Sequence, residues 1–552
     1  MSTEQAAAAR WISPRAGLLL AVVLSVFVVA PLFYPGYIQT HAGYIPLWNV
    51  IDLRANLGRW SWLPHIATRF DPLRGDGLLP YYLAAVLPLE PGAAVKMVLG
   101  LSWLLGSAGM FLWLKSWLGQ PGALLAALVY TYLPYHIVTV YVRGAWGEAL
   151  FWGLLPWALL SAAFLAAAPQ SRRLPAAAGF WLLLGLSQLG LTLWAFAFVA
   201  MLALSLHRRR SFGPILAALG GTALAVDFSL AWPPVPAPIN FTGHFLYPAQ
   251  LFSAYWGFGV SRPGWHDGLS LQLGLAATGL ALISIIVWQA HQPPDSPAGR
   301  LERRLIFFLA VAGSLILLQL GLAAFVWRVP LGPGLSLAST LTYPWQLLGL
   351  TGLCLAILAG AGFWLDPRLS DWPLFGAAVL LVILSSYNYL SPQFTRTAPP
   401  AGRPPAGWGD HQLALLDHRF TVMTSGNTAG LTRRATAIPV ALSGPPHPND
   451  SLRLDVVWQP LQPFNQNLKV FVHLVDSTGR VLAQYDGYPQ AGTYPTVDWI
   501  PGELIEDSYP LLLPADAPAG PYRVYLGLYD ETTLSRLPVL TDAEGRVILN
   551  VE

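Results

Sequence analysis

Charge is what this chain has least of. Only 11% of its residues are charged and 54% are hydrophobic, whereas a soluble globular protein carries about 25% charged residues. So few polar side chains cannot coat a soluble molecule of 552 residues, so lipid is expected to solvate much of it. Cysteine is nearly absent. Cys354 stands alone in an apolar run, so no intrachain disulfide is possible and any exposed domain must rely on its own core. The 11 histidines form no H-x-x-x-H pair and there is no C-x-x-C, so no structural zinc site is expected. Lysine is reduced to Lys96, Lys115 and Lys469, and the net charge of +3 is too small to imply a nucleic-acid partner.

The hydrophobic residues are unevenly spread. Runs of about 20 apolar residues, enough to cross a bilayer, fall near 17–34, 92–114, 121–141, 146–168, 174–189, 190–207, 213–232, 270–290, 305–325, 342–364 and 373–390. That makes eleven expected spans, two of them cut from the single run 174–207. Leu78–Leu89 is too short to cross and reads as a re-entrant or interfacial helix. The first run follows Arg10 and Arg15 and is followed by Pro31, Tyr34 and Pro35 without a small-x-small site, so it is expected to be an uncleaved span, not a signal peptide.

Short cytoplasmic loops collect arginine and lysine. Under this layout Arg10 and Arg15, Lys115, Arg172 and Arg173, Arg208–Arg210, Arg300 with Arg303 and Arg304, and Arg368 all fall on one side. The expected arrangement is therefore multi-pass in a membrane, with the N-terminus inside and the C-terminal part outside. The expected domains are a polytopic part at 1–390, a Pro-rich linker at 391–424 and an extracytoplasmic β-domain at 425–552. In the last, Tyr522, Val524, Leu526 and Leu528 alternate with Arg523, Tyr525, Gly527 and Tyr529, and Val470, Val472 and Leu474 alternate with Phe471, His473 and Val475. Period-2 alternation with turns at Asp476–Gly479 and Asp542–Gly545 reads as an all-β sandwich.

The outward loops hold the chemistry-bearing side chains. The first carries Asp52, Arg54, Arg59, His65, Arg69, Asp71, Arg74 and Asp76; a tight turn reads Tyr141-Val-Arg143-Gly144 with Glu148 just after it; a later loop carries Arg262, His266 and Asp267. Positive-inside bias should deplete outer arginines, so Arg143 in a tight turn stands out against the ordinary reading of snorkelling or headgroup contact. Lys96, His136, Glu148 and Asp227 fall near the outer ends of their spans, where they line a polar pocket or sit at headgroup depth. Arginine binds phosphate with a planar fork. A neighbouring carboxylate can deprotonate a hydroxyl or hold a divalent metal.

Asp52-Leu53, Asp76-Gly77-Leu-Leu-Pro80-Tyr81-Tyr82, Tyr132-Leu-Pro134-Tyr135, Tyr141-Val-Arg143-Gly144 with Glu148, Asp267-Gly268-Leu-Ser-Leu-Gln272 and Pro344-Trp345-Gln346 occur in that order. In these stretches the chain resembles the bacterial polytopic membrane proteins described as 6-pyruvoyl-tetrahydropterin synthase-related, which are similar to glycosyltransferases of the C fold. It differs from the family pattern at Ile51-Asp52, where the pattern has His-Asp, and at Gln346, where it has arginine. The resemblance implies a bacterial cytoplasmic membrane and a polyprenyl-phosphate sugar donor, with Asp52 and Glu148 as catalytic carboxylates. Asp71 and Asp76 are reserve carboxylates, with Asp76 also a substrate-binding residue or else the cap of the Leu78–Leu89 helix. Arg54, Arg143, Tyr141, Tyr81, Arg262, His266 and Asp267 are then substrate-binding residues. The β-region motifs Phe471-Val-His473-Leu474-Val-Asp476, Trp499-Ile-Pro501-Gly502-Glu503 and Gly527-Leu-Tyr529-Asp530 resemble β-domains appended to such transferases, which implies a glycan acceptor or a purely structural sandwich.

Two functions are therefore expected. One is a membrane glycosyltransferase moving a sugar from a lipid-linked donor to an outer acceptor. The other is a non-catalytic scaffold or accessory subunit of an envelope or respiratory assembly. The sequence identifies no protein partner.

Overall fold

The computed structural model describes residues 13–38, 40–42, 45–58, 73–167, 171–206, 212–230, 241–259, 261, 264–265, 267–290, 299–332, 335–394, 420–423, 428–431, 435–442, 451–460, 464, 466–492, 494–499, 505–518, 522–537 and 546–551. The chain divides into two compact units. One comprises Met1–Tyr34 and Phe70–Pro392, and the other Pro35–Arg69 and Gln393–Glu552.

The first unit is helical. Helix α1 (Pro14–Val29) starts on Ser13, whose Oγ accepts from the Ala16 amide, with Pro14 at the first helical position. In the second unit, α2 (Ile45–Ala55) lies in the segment expected to be the first outer loop. Back in the first unit come the short α3 (Leu79–Val86) and then α4 (Pro91–Thr131), capped by the Glu90 carboxylate. Two helices meet within α4 at Gly119, whose φ of +67° only glycine adopts readily, and Pro121 restarts the chain beyond it. There follow α5 (Pro134–Val138), α6 (Trp146–Ala167), α7 (Leu174–Ser187), α8 (Leu189–Leu206) and α9 (Phe212–Leu230). The rest are α10 (Pro248–Leu251), α11 (Leu275–Ala290), α12 (Gly299–Gln319), α13 (Leu348–Leu365) and α14 (Trp372–Tyr387).

The long helices fall on the expected apolar runs, α4 covering parts of two of them, while α2 and α10 lie in expected outer loops and α3 in the expected re-entrant stretch. Among the described residues four are long and apolar enough to cross a membrane: Pro14–Phe33, Pro91–Arg143, Trp146–Ala167 and Pro344–Leu365. Helices such as Leu174–Ser187, with 14 residues, reach about 21 Å at about 1.5 Å per residue, short of a hydrocarbon layer of about 30 Å. Many are apolar on both faces. Leu19, Val23 and Phe27 point outward from α1 while Ala21 and Val28 are buried, and α12 and α14 repeat the pattern with Leu309 and Leu317, and Leu380 and Leu384. A helix without a polar side fits a lipid surround, not water. Helix α1 is tied laterally by hydroxyls: Ser107 Oγ donates to Ala21 O (2.9 Å), Tyr132 OH to Leu24 O (2.5 Å) and Tyr141 OH to Val28 O (2.6 Å). Cys354 is buried in α13.

The second unit is β-rich. In the C-terminal part Val547–Val551, Tyr522–Tyr529, Lys469–Val475 and Val481–Gly487 pair in that order into a four-stranded antiparallel sheet. A five-stranded sheet runs Thr428–Leu431, Phe420–Met423, Ala435–Leu442, Ser451–Pro460, Ile505–Leu512, with the Phe420 and Ala435 strands parallel. Val470, Val472, Leu474, Val524, Leu526 and Leu528 from the first sheet share one core cluster with Leu454, Val456, Trp458, Ile505, Tyr509 and Leu511 from the second. The alternation expected for residues 522–528 is the one observed. At the expected 476–479 turn, Asp476 Oδ1 accepts from the amides of Thr478 and Arg480. The turn at 542–545 and most of the Pro-rich linker lie outside the described residues.

Candidate functional site

Several predicted outer turns meet at one end of the helical unit. The 73–77 segment packs on the α7–α8 junction, with Gly77 N donating to Ser187 O (2.8 Å) and Gly190 N to Leu73 O (3.0 Å). Gln188 Nε2 and Thr342 Oγ1 both donate to Arg74 O at 3.3 Å. The turn after α5 arrives at the same place. It winds as one π-helical segment, Thr139–Arg143, and stops on Gly144 at φ +65°. π-Turns are rare and gather at functional sites. This one ends on Arg143.

Glu148, in the first turn of α6, is the hub. Its carboxylate accepts from Arg143 Nη1 (2.8 Å), Tyr135 OH (2.5 Å), Gln346 Nε2 (3.0 Å) and Trp152 Nε1 (3.4 Å). Its side chain is 2% exposed and that of Arg143 12%. Arg143 Nη1 also donates to Tyr135 OH, and the guanidinium lies 4.8 Å over the Trp345 ring. Among the described residues nothing accepts from Arg143 Nε or Nη2. Gln346 holds the turn before α13, because its Oε1 accepts from the amides of Thr342 (2.8 Å) and Tyr343 (3.1 Å).

Asp76 is the second carboxylate here. Its Oδ1 accepts from Gly147 N at 2.9 Å, and no described side chain donates to it. A Cβ on Gly147 would lie 2.7 Å from that oxygen and 2.6 Å from Ser187 O, so only glycine lets α6 approach this closely. Burial pushes the Asp76 carboxyl up to about 7; the Gly147 amide and Arg143 oppose the rise and Glu148 adds to it. Asp76 does not cap α3, which starts on Leu78 with no side-chain cap.

A stack of rings extends the site. Trp345 stacks on Tyr343 (4.5 Å between centroids), and His244 packs edge-on against Tyr343 (5.0 Å). Ser261 Oγ accepts from Trp345 Nε1 (3.2 Å) and sits 2.9 Å from His244 Nδ1. Burial holds His244 below the usual histidine range against the opposing pull of Asp267, whose carboxylate accepts from Gln250 Nε2 at 2.6 Å. Among the described residues no group of three or more His, Cys, Asp or Glu side chains converges as a metal ion requires.

Of the residues expected from sequence, the structure gathers Asp76, Arg143 and Glu148, with Asp267 beside His244. Tyr81 is buried edge-on against Trp146 at 4.7 Å, and Tyr141 is buried with its hydroxyl on Val28. Asp52 and Arg54 belong to α2 in the other unit, where Asn56 Nδ2 donates to Asp52 Oδ1. Arg262 and His266 lie outside the described residues. Sequence reading missed Trp152 and His244 as site residues. Tyr135 and Gln346 stood inside quoted motifs, but nothing in their spacing showed that both reach Glu148.

No family model matches the chain, and no curated protein matches it.

Proposed function

We propose that the helical unit is a membrane glycosyltransferase of the C-fold type, using a polyprenyl-phosphate sugar and an acceptor on the outer side of a bacterial cytoplasmic membrane. The proposal includes about eleven spans, an inside N-terminus and an outside C-terminal β-sandwich. The observation that carries it is the Arg143 guanidinium, held by Glu148 near the Asp76 carboxyl, with nothing among the described residues accepting from its Nε–Nη2 edge. Arginine with two free N–H groups on one edge suits a phosphate oxygen pair.

In this reading Asp76 takes the proton from the acceptor hydroxyl, the oxygen bonds to the sugar's anomeric carbon, and the bond to phosphate breaks. The leaving phosphate keeps the electron pair and is held by Arg143. Glu148 already accepts four hydrogen bonds, so its part is to aim Arg143. Asp52 keeps the role of a candidate carboxylate that resemblance gives it. The test is native mass spectrometry of the protein in nanodiscs with decaprenyl phosphate. Arg143→Ala should lose the bound lipid while Asp76→Asn retains it, and membranes carrying Asp76→Asn should accumulate unused lipid-linked sugar. Equal lipid binding by Arg143→Ala and the parent defeats the proposal. One observation favours the scaffold reading: a carboxylate closed by four donors is also what a structural hub looks like. That reading expects no lipid-phosphate binding by either protein.

A further inference from the structure

The loop that brings His244 and Ser261 to the ring stack has a second face. The described stretch 241–259 contains no Asp, Glu, Lys or Arg, and 321–332 contains Arg328 alone. A loop of average composition standing in water carries about 25% charged residues, which for the first stretch is about five. Both segments are pinned by hydrogen bonds, so their side chains have fixed directions. Leu246 N donates to Gln319 O (2.8 Å), Leu273 N to Leu251 O (2.9 Å) and Leu337 N to Val329 O (2.9 Å), and Trp327 Nε1 donates to Leu318 O (2.8 Å). From this pinned backbone Phe252 and Phe325 each project with 72% of their surface exposed, joined by Tyr255, Leu322 and Leu331. Leu317 is exposed in the last turn of α12, which ends at Gln319, and the 321–331 segment follows directly in the chain.

Irregular backbone is excluded from the lipid-facing hydrocarbon centre. Aromatic side chains at the end of a membrane-crossing helix favour the headgroup boundary. We infer that residues 247–259 and 321–331 form a shoulder bedded in the headgroup–acyl boundary of the bilayer, so that the Arg143 site opens at lipid depth and not into bulk water. The inference rests on a membrane setting for the helical unit and is independent of sugar transfer. The occupant is the lipid surface itself.

The test uses the full chain in phosphatidylcholine–phosphatidylglycerol nanodiscs, with nitroxide labels at Phe252→Cys and Phe325→Cys; buried Cys354 stays unlabelled. Collisions with oxygen should exceed those with a water-soluble nickel chelate at both sites, and the order should reverse at Leu534→Cys, an exposed position of the β-rich unit. Labels at Leu322→Cys and Leu331→Cys repeat the measurement if either phenylalanine variant misfolds. Nickel collisions as frequent as at Leu534 overturn the inference. So does shielding from both reagents, which means a protein partner or a second copy covers the patch. Loss of phosphate binding in Arg143→Ala leaves these ratios unmoved, so the two proposals fail separately.

Discussion

Removing Glu148 should cost far more than removing Arg143, although the two form one ion pair. The reason is the unequal set of partners. Glu148→Ala strands Arg143 at 12% side-chain exposure and leaves Tyr135 OH, Gln346 Nε2 and Trp152 Nε1 without their acceptor. Breaking a buried pair from one side costs about 3–5 kcal/mol, and each buried donor left unsatisfied adds about 1–3 kcal/mol before the site relaxes. Arg143→Ala breaks the same pair, at about 3–5 kcal/mol, but strands no other donor because Glu148 keeps three of its four, so its total cost is expected to be the lower of the two. Arg143→Met with Glu148→Leu should recover most of the loss, because an apolar pair of similar volume avoids both desolvation penalties. Unfolding by sodium dodecyl sulfate in mixed micelles measures all three variants. Equal costs for the two single variants, or a Glu148→Ala cost below about 1 kcal/mol, would refute the hub.

Two further outcomes follow from named groups. Asp76 has its carboxyl raised from 3.8 to about 7 in the folded chain, so folding favours the protonated form. Its contribution to stability is complete below about pH 4 and is lost as pH rises towards 7. Asp76→Asn should flatten that slope in micelle titrations, and sugar transfer by the parent should rise through pH 7 as the proton acceptor ionises. In the β-rich unit, Trp458 Nε1 donates to Tyr509 OH (2.7 Å), which donates in turn to Asp507 Oδ2 (2.7 Å). Trp458→Phe should destabilise this unit by about 1–2 kcal/mol, read as faster cleavage within residues 451–512 during limited proteolysis; unchanged cleavage would count against the chain of bonds.

Helices were legible because apolar runs and Pro or Gly punctuation are local signals. Trp146–Ala167 matches the run read at 146–168, and Leu174–Ser187 with Leu189–Leu206 match the split of one long run. Whether the shorter helices cross a bilayer depends on tilt and neighbours, which hydropathy does not encode. The π-turn at Thr139–Arg143 was not legible, since Thr-Val-Tyr-Val-Arg carries no residue that demands it. Arg143 and Glu148 could be paired by eye, being five residues apart. Gln346 could not: it reaches Glu148 across 198 positions, and its identity suggested a lost arginine when it is a hydrogen-bonding bridge. Composition does not show which unit Pro35–Arg69 joins; the structure groups it with the β-rich unit, a partition set by long-range contacts.

The hydroxyl ties to α1 also set an order of assembly. Its residues are synthesised before its partners: the bonds at Ala21, Leu24 and Val28 wait for Ser107, Tyr132 and Tyr141, which are made 86, 108 and 113 residues later. The π-turn that aims Arg143 carries Tyr141. It therefore reaches its final anchorage only once α1 is already made and the chain has returned to it. The birth order of the protein is written into the position of its best candidate ligand-binding side chain.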